Sequence, residues 1–190
     1  MERVYIEDRN FKNINYTEEN LKKGDYEYCT FINCKFIKSD FSDINFVECT
    51  FENCDLSNAK VANTTFKGVR FKGCKLQGIR FDECNNFLLS IEMDACQANF
   101  SVFTKLPLMK MRFADSSFRE SDFSGADLSD TTITNCDLFG AVFENTIFER
   151  TDLRLSYNYV IDPETNRLKK AKFSHDGILG LLQKYDIIVQ

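Results

Sequence analysis

The sequence predicts an all-β chain that turns a corner every five residues. A large apolar residue recurs at each fifth position over most of the 190 residues, and a small residue stands two places before it. Helices repeat every 3.6 residues and strands every 2.0, so neither holds a five-residue pattern on one face. An alternation of period two inside each five, broken before the next, reads as a short strand followed by a turn.

The repeat runs in two frames. From Tyr26 and Phe31 the large positions are Phe36, Phe41, Phe46, Phe51, Leu56, Val61, Phe66, Phe71, Leu76 and Phe81. A second frame, offset by two, takes Phe103, Leu108, Phe113, Phe118, Phe123, Leu128, Ile133, Leu138, Phe143, Phe148 and Leu153. Sixteen of nineteen phenylalanines lie in these frames, counting Phe11 and the outlying Phe173, so aromatic rings are the core of the chain. All eight cysteines fall at the small inward place, which elsewhere holds Ala, Ser, Thr or Val. They read as interior spacers. Cys-x-x-Cys is absent and the one histidine is His175, so neither a metal site nor a disulfide frame is expected.

The stretches CTFINCKFIKSDFSDINFVECTFENCDLSNAK and FADSSFRESDFSGADLSDTTITNCDLFGAVFENTIFERTDL resemble the pentapeptide repeat family, whose motif is A(D/N)Lxx; SGADL and ESDF match it closely. The resemblance covers roughly residues 26–173. It implies a right-handed quadrilateral parallel β-helix with four pentapeptides per coil, so that coils repeat every twenty residues. On this basis residues 1–25 are an N-terminal cap or irregular lead-in, 26–84 a first β-helix subdomain, and 85–111 a register break and irregular coil. Residues 112–153 form a second subdomain and 154–190 a C-terminal hairpin, helix cap and dimerisation segment.

The break lies in CNNFLL, where two extra residues shift the frame. Phe87 and Phe100 fall outside the large positions, and Leu106, Leu108, Met109 and Met111 surround Pro107 in an irregular apolar patch. A kink between subdomains and an exposed partner site both fit. At the C-terminus, Asp162-Pro163 is a turn signal. Ser174 then precedes a short capping helix on which Ile178, Leu181, Leu182 and Tyr185 form one apolar stripe. Ile187 and Ile188 in the closing DIIVQ either pair with that cap or meet a second subunit.

NYVIDPETNRLKKAKFSHDGILGLLQKYDI is similar to the C-terminal segments of the topoisomerase-protecting branch, which includes the Qnr quinolone-resistance proteins and the albicidin and microcin immunity proteins. CDLSNAK and FKGCKLQGIRFDECN fit the immunity type. This resemblance implies a homodimer through the C-terminal end that presents an acidic, DNA-like rod to DNA gyrase or another type II topoisomerase. A solenoid scaffold for a different protein is the alternative.

Charge is segregated along the chain. Phe113 to Leu153 holds Asp115, Glu120, Asp122, Asp127, Asp130, Asp137, Glu144, Glu149 and Asp152 against Arg119 and Arg150, a net of -7 within a chain of -5. Ser57 to Phe81 holds Lys60, Lys67, Arg70, Lys72, Lys75 and Arg80 and no acid. The acidic stretch is the candidate partner surface, although at twenty residues per coil its acids spread over all four faces, as a merely soluble surface would. The basic stretch lacks the exposed aromatics of single-strand binders, so no direct nucleic-acid binding is expected. No nucleophile–base pair, phosphate loop or paired acid and base stands out, and no catalytic residue, metal or cofactor is expected. The first thirty residues mix charges and carry no long apolar run, from which no membrane insertion and a cytoplasmic location follow.

Overall fold

The computed structural model describes residues 3–188, which wind into one parallel β-solenoid. Eleven short strands form in chain order: β1 (Val4–Glu7), β2 (Asn10–Lys12), β3 (Gly24–Glu27), β4 (Thr30–Ile32), β5 (Asn45–Val47), β6 (Thr50–Glu52), β7 (Thr65–Lys67), β8 (Val69–Lys72), β9 (Ile91–Asp94), β10 (Arg112–Ala114) and β11 (Thr132–Thr134). One sheet runs β1-β3-β5-β7 and the next β2-β4-β6-β8-β9-β10-β11, all parallel. Single bridges complete the other two sides, such as Lys35 to Asp55 to Lys75 and Asp40 to Lys60. The register between coils is twenty residues, as in Phe31 to Phe51 to Phe71.

The register makes like side chains stack. Phe11 lies 4.8 Å from Phe31, Phe31 4.7 Å from Phe51, and Phe51 5.3 Å from Phe71, all stacked with nearly parallel planes. A parallel column runs Phe81, Phe103, Phe123, Phe143. Neighbouring columns meet edge to face, as Phe36 and Phe41 do at 5.0 Å and 76°. Both arrangements suit the ring quadrupole.

At most corners the residue two places after the large position has a left-handed φ, as Asn53 at 52°, Asn63 at 55° and Gly73 at 62° do. Such a conformation costs a side-chain-bearing residue about 1 kcal/mol, least for Asn and Asp, which explains their frequency here. It is repeated because each corner N–H reaches the next coil, as Asn53 N–H does to Lys72 O at 2.8 Å.

The small inward position is more than a spacer. Thr64 and Thr131 donate their hydroxyls to Phe41 O and Leu108 O at 2.7 Å, and Cys54, Cys74 and Cys96 donate thiols to Phe31, Phe51 and Phe71 carbonyls at 3.3 Å. Cys, Ser and Thr share a donor, which is why they alternate at this place.

Three boundaries differ from the sequence reading. Regular pairing begins at Val4, since β1 pairs with β3 and β2 with β4. The polar run after Tyr16 hides it because its charges sit at corners and its centre Leu21 is buried. The irregularity expected over 85–111 is confined to a bulge between Asn85 and Ile91: Val69 pairs with Ile91, two residues beyond the usual twenty. From Ile91 onward Met93, Ala98, Leu106, Leu108 and Met111 are core, while Phe87, Leu88, Phe100 and Met109 are exposed. Among the described residues no hairpin follows Leu153; the coil continues, with Tyr157 bridging Asp137 and Arg167 bridging Ile147.

The C-terminal cap is also tighter than an α-helix. It consists of two 3₁₀ turns, Gly177–Leu181 and Gln183–Tyr185, and Ser174 Oγ accepts Gly177 N–H at 3.0 Å. With three residues per turn the expected stripe divides: Leu181 and Leu182 are half-buried, whereas Ile178 and Tyr185 are exposed.

Phe51→Ala removes a ring held between two others and is expected to cost about 3–5 kcal/mol. Phe139→Ala, at an exposed ring, is expected to cost under about 1 kcal/mol. Urea unfolding measures both.

Candidate protein-binding surface

Because the interior is filled, only the outside of the rod and its ends can act on another molecule. The nine sequence-selected acids of the C-terminal half all reach that outside, but by two routes. Asp122, Asp127, Asp137 and Asp152 precede a buried centre, and each carboxylate accepts the backbone N–H two residues on: Ser124, Ser129, Phe139 and Arg154, at 2.8 to 3.2 Å. These acids hold the turn, and all four are half-buried. Asp115, Glu120 and Asp130 occupy corners, and Glu144 and Glu149 follow a centre.

Charge pairing divides the set again. Arg150 grips Asp130, one coil away on the same corner column, through Nε at 2.6 Å and a second nitrogen at 2.8 Å, and it also contacts Glu149 at 3.4 Å. The guanidinium holds the Asp130 carboxyl below its ordinary range. Asp137 pairs with Arg119 at 3.2 Å, whose guanidinium lies 4.7 Å over the Phe139 ring. Asp152 pairs with Arg154 at 2.8 Å and Lys172 at 3.8 Å, and Arg154 lowers its pKa. Among the described residues Asp115, Glu120, Asp122, Asp127 and Glu144 have no cation within 4.0 Å. The structure therefore scatters the acids over all four sides and leaves five of them uncompensated.

The basic segment is partly neutralised. Arg70 reaches Glu92 at 3.8 Å, Lys75 reaches Asp55 at 3.9 Å, and Arg80 is held by Asp82 at 2.7 Å. The thiols are sequestered: burial pushes Cys49 and Cys84 up to about 12 and Cys136 up to about 11. No group of three or more metal-ligating side chains occurs among the described residues.

At the C-terminal end, Lys184 Nζ sits 2.6 Å from Asp162 and 2.8 Å from Glu164, and Tyr185 donates its hydroxyl to Glu164 at 3.0 Å. Lys184 lowers both carboxyl pKa values. This cluster ties the 3₁₀ cap to the last coil, together with Ile161 N–H to Gly180 O at 3.1 Å. Outside it remain Ile178, Leu179, Ile187 and Ile188, all exposed, with Ile188 at 87%. Leu179 lies off the stripe that α-helical spacing predicts and joins this surface because the cap winds at three residues per turn.

The pentapeptide repeat region family matches residues 24–87, and the pentapeptide repeats (8 copies) family matches residues 110–135. The chain is a pentapeptide repeat protein. The fold of this pentapeptide repeat protein is similar to that of a trypsin-treated variant of QnrB1, a plasmid-mediated fluoroquinolone resistance protein, with a TM-score of 0.51 and 21% identity over 97% of this chain and 99% of that one. A second trypsin-treated QnrB1 variant aligns at 0.49 and 22% identity over the same shares. HetL, a pentapeptide repeat protein involved in heterocyst differentiation regulation from the cyanobacterium Nostoc, aligns at 0.30 and 18% identity over 92% of each chain. No curated protein matches the sequence. No helix among the described residues is long and apolar enough to cross a membrane.

Two outcomes are expected. Asp127→Ala lowers stability by about 1 kcal/mol through the lost turn acceptor, while Glu144→Ala changes it by under about 0.5 kcal/mol; thermal unfolding checks both. Depressed carboxyl pKa values stabilise above the unfolded value of about 4 and lose that effect as pH falls through the folded one. The Asp162–Glu164–Lys184 tie accordingly loosens below about pH 4, which the NMR shifts of Tyr185 and Lys184 report.

Proposed function

We propose that this pentapeptide repeat protein is a non-enzymatic binder of a type II topoisomerase such as DNA gyrase, and that it shields the enzyme from quinolone- or peptide-type inhibitors. The observation that carries the proposal is the net charge of -7 on Phe113 to Leu153, spread round a smooth rod. A protein surface made to hold duplex DNA is basic, and an acidic rod is drawn to it at a rate that falls with salt. The fold likeness to a fluoroquinolone resistance protein along nearly the whole chain supports the same direction. Asp115, Glu120 and Glu144, the acids with neither a cation in contact nor a turn to hold, contribute most. Pairing of two copies through Ile178, Leu179, Ile187 and Ile188 joins two acidic halves into one central surface, in the cytoplasm where topoisomerases work.

A second reading, a solenoid scaffold for another protein, is favoured by the turn-holding role of Asp122, Asp127, Asp137 and Asp152, which accounts for part of the acid excess structurally. The two are separated by a supercoiling assay with purified gyrase and a quinolone. Under the first reading the protein restores supercoiling at low salt. Glu120→Gln with Glu144→Gln then slows association several-fold without lowering the melting temperature. Absence of binding to gyrase and to topoisomerase IV at low salt leaves the scaffold.

A further inference from the structure

Among the described residues the first coil is the outermost, and its ring faces are open. Its four centres are Ile6, Phe11, Tyr16 and Leu21. Phe11 and Tyr16 each stack on one ring of the next coil, Phe31 at 4.8 Å and Phe36 at 4.7 Å. Their neighbourhood is a cleft of about 270 Å³ lined also by Ile14 and Tyr26. β1 and β2 are the outermost strands of the two ladders, each paired on one side only. Such an end is a template for a further layer.

The corners around this end alternate in sign. Glu7 and Asp8 stand at the first, Lys12 at the second, Glu18 and Glu19 at the third, and Lys22 and Lys23 at the fourth. All are exposed except Lys23, which is half-buried 3.6 Å from Asp43. Arg9 begins the side after the first corner, so that corner is the weaker of the two acidic ones.

A coil is also a ramp, its first corner nearer the end of the rod than its fourth by most of the ~4.8 Å strand spacing. Rotation by 180° about an axis perpendicular to the rod preserves handedness and reverses the order in which corners are met. Two ramps then close without a step only when the first corner of one lies over the fourth of the other, and the second over the third. In that register Glu7 and Asp8 face Lys22 and Lys23 of the other copy, and Lys12 faces Glu18 and Glu19. Shape and charge select the same docking at all four corners.

We propose that the N-terminal end of the rod is a self-association surface, occupied by a second copy of this chain docked end to end in this register. The inference is independent of the topoisomerase reading. One rod end is small beside the roughly 1,600 Å² of a standard interface, so association is weak and salt-sensitive, and charge matching decides it.

The test is sedimentation equilibrium at low salt, in a background carrying Ile178→Asp and Ile188→Asp to charge the opposite end. Lys22→Glu with Lys23→Glu is expected to weaken self-association by roughly tenfold or more. Adding Glu7→Lys and Asp8→Lys restores it to within about threefold. Lysine is tolerated at such a corner, since Lys38, Lys105 and Lys110 hold φ of 57° to 62°. Glu18→Lys with Glu19→Lys, added instead, places like charges at Lys12 and does not restore it. An unchanged mass after charge reversal, or rescue by the Glu18/Glu19 pair in place of the Glu7/Asp8 pair, overturns the proposal. Circular dichroism of every variant confirms that the solenoid is intact.

Discussion

The stacking of like residues at twenty-residue intervals is the constraint on which the rest of the structure depends. Each ring in the Phe11–Phe31–Phe51–Phe71 column has its position set by a backbone ladder in which the inner strands bond to the coils on either side and β2 to one. Neither component suffices alone: three-residue strands are too short to persist as isolated pairs, and rings without register would pack in many ways. Together they make a closed tube whose interior is filled by side chains. Contacts pass from coil to coil, so stability is close to a sum of repeat and neighbour terms, and the ends become the special places.

The outside of the tube carries two superposed patterns. One is structural: aspartates before the centres fasten their own turns, and Asn or Asp at the corners accept the left-handed backbone at least cost. The other is electrical. Arg150 spans a coil to reach Asp130, while Glu120 and Glu144 face water with no cation nearby. A carboxylate count from sequence merges the two patterns, and only the hydrogen bonds separate an acid that holds the fold from one free to meet a partner.

The two ends of the rod are finished differently. The C-terminal end is closed by 3₁₀ turns pinned through Lys184 and Tyr185, which leaves a strip of isoleucine and leucine pointing away from the body. The N-terminal end stays open as a ramp of half-covered rings inside a rim of alternating charge. The two ends are thus unlike, one an apolar strip and the other a charged rim, and salt acts on each differently.

By itself the sequence determined the period, the inward positions, the aromatic core, the buried cysteines and the segregation of charge, because each follows from side-chain identity at a fixed spacing. Its five-residue spacing reaches back through Leu21, Tyr16 and Phe11 to Ile6, but the polar run TEENLKKGD, with Glu and Lys at the corners, hid where the first regular coil begins. The sequence also overstated the break after Cys84: a two-residue bulge shifts the frame in the text but perturbs only one corner when the neighbouring ladder holds the register. Tertiary structure alone decided which acids pair across coils, for that depends on distances between residues some twenty apart, such as Lys184 and Asp162. The donor role of the inward Cys, Ser and Thr likewise became visible only when the carbonyl of the preceding coil was brought within 3.3 Å, as Phe31 O is for Cys54.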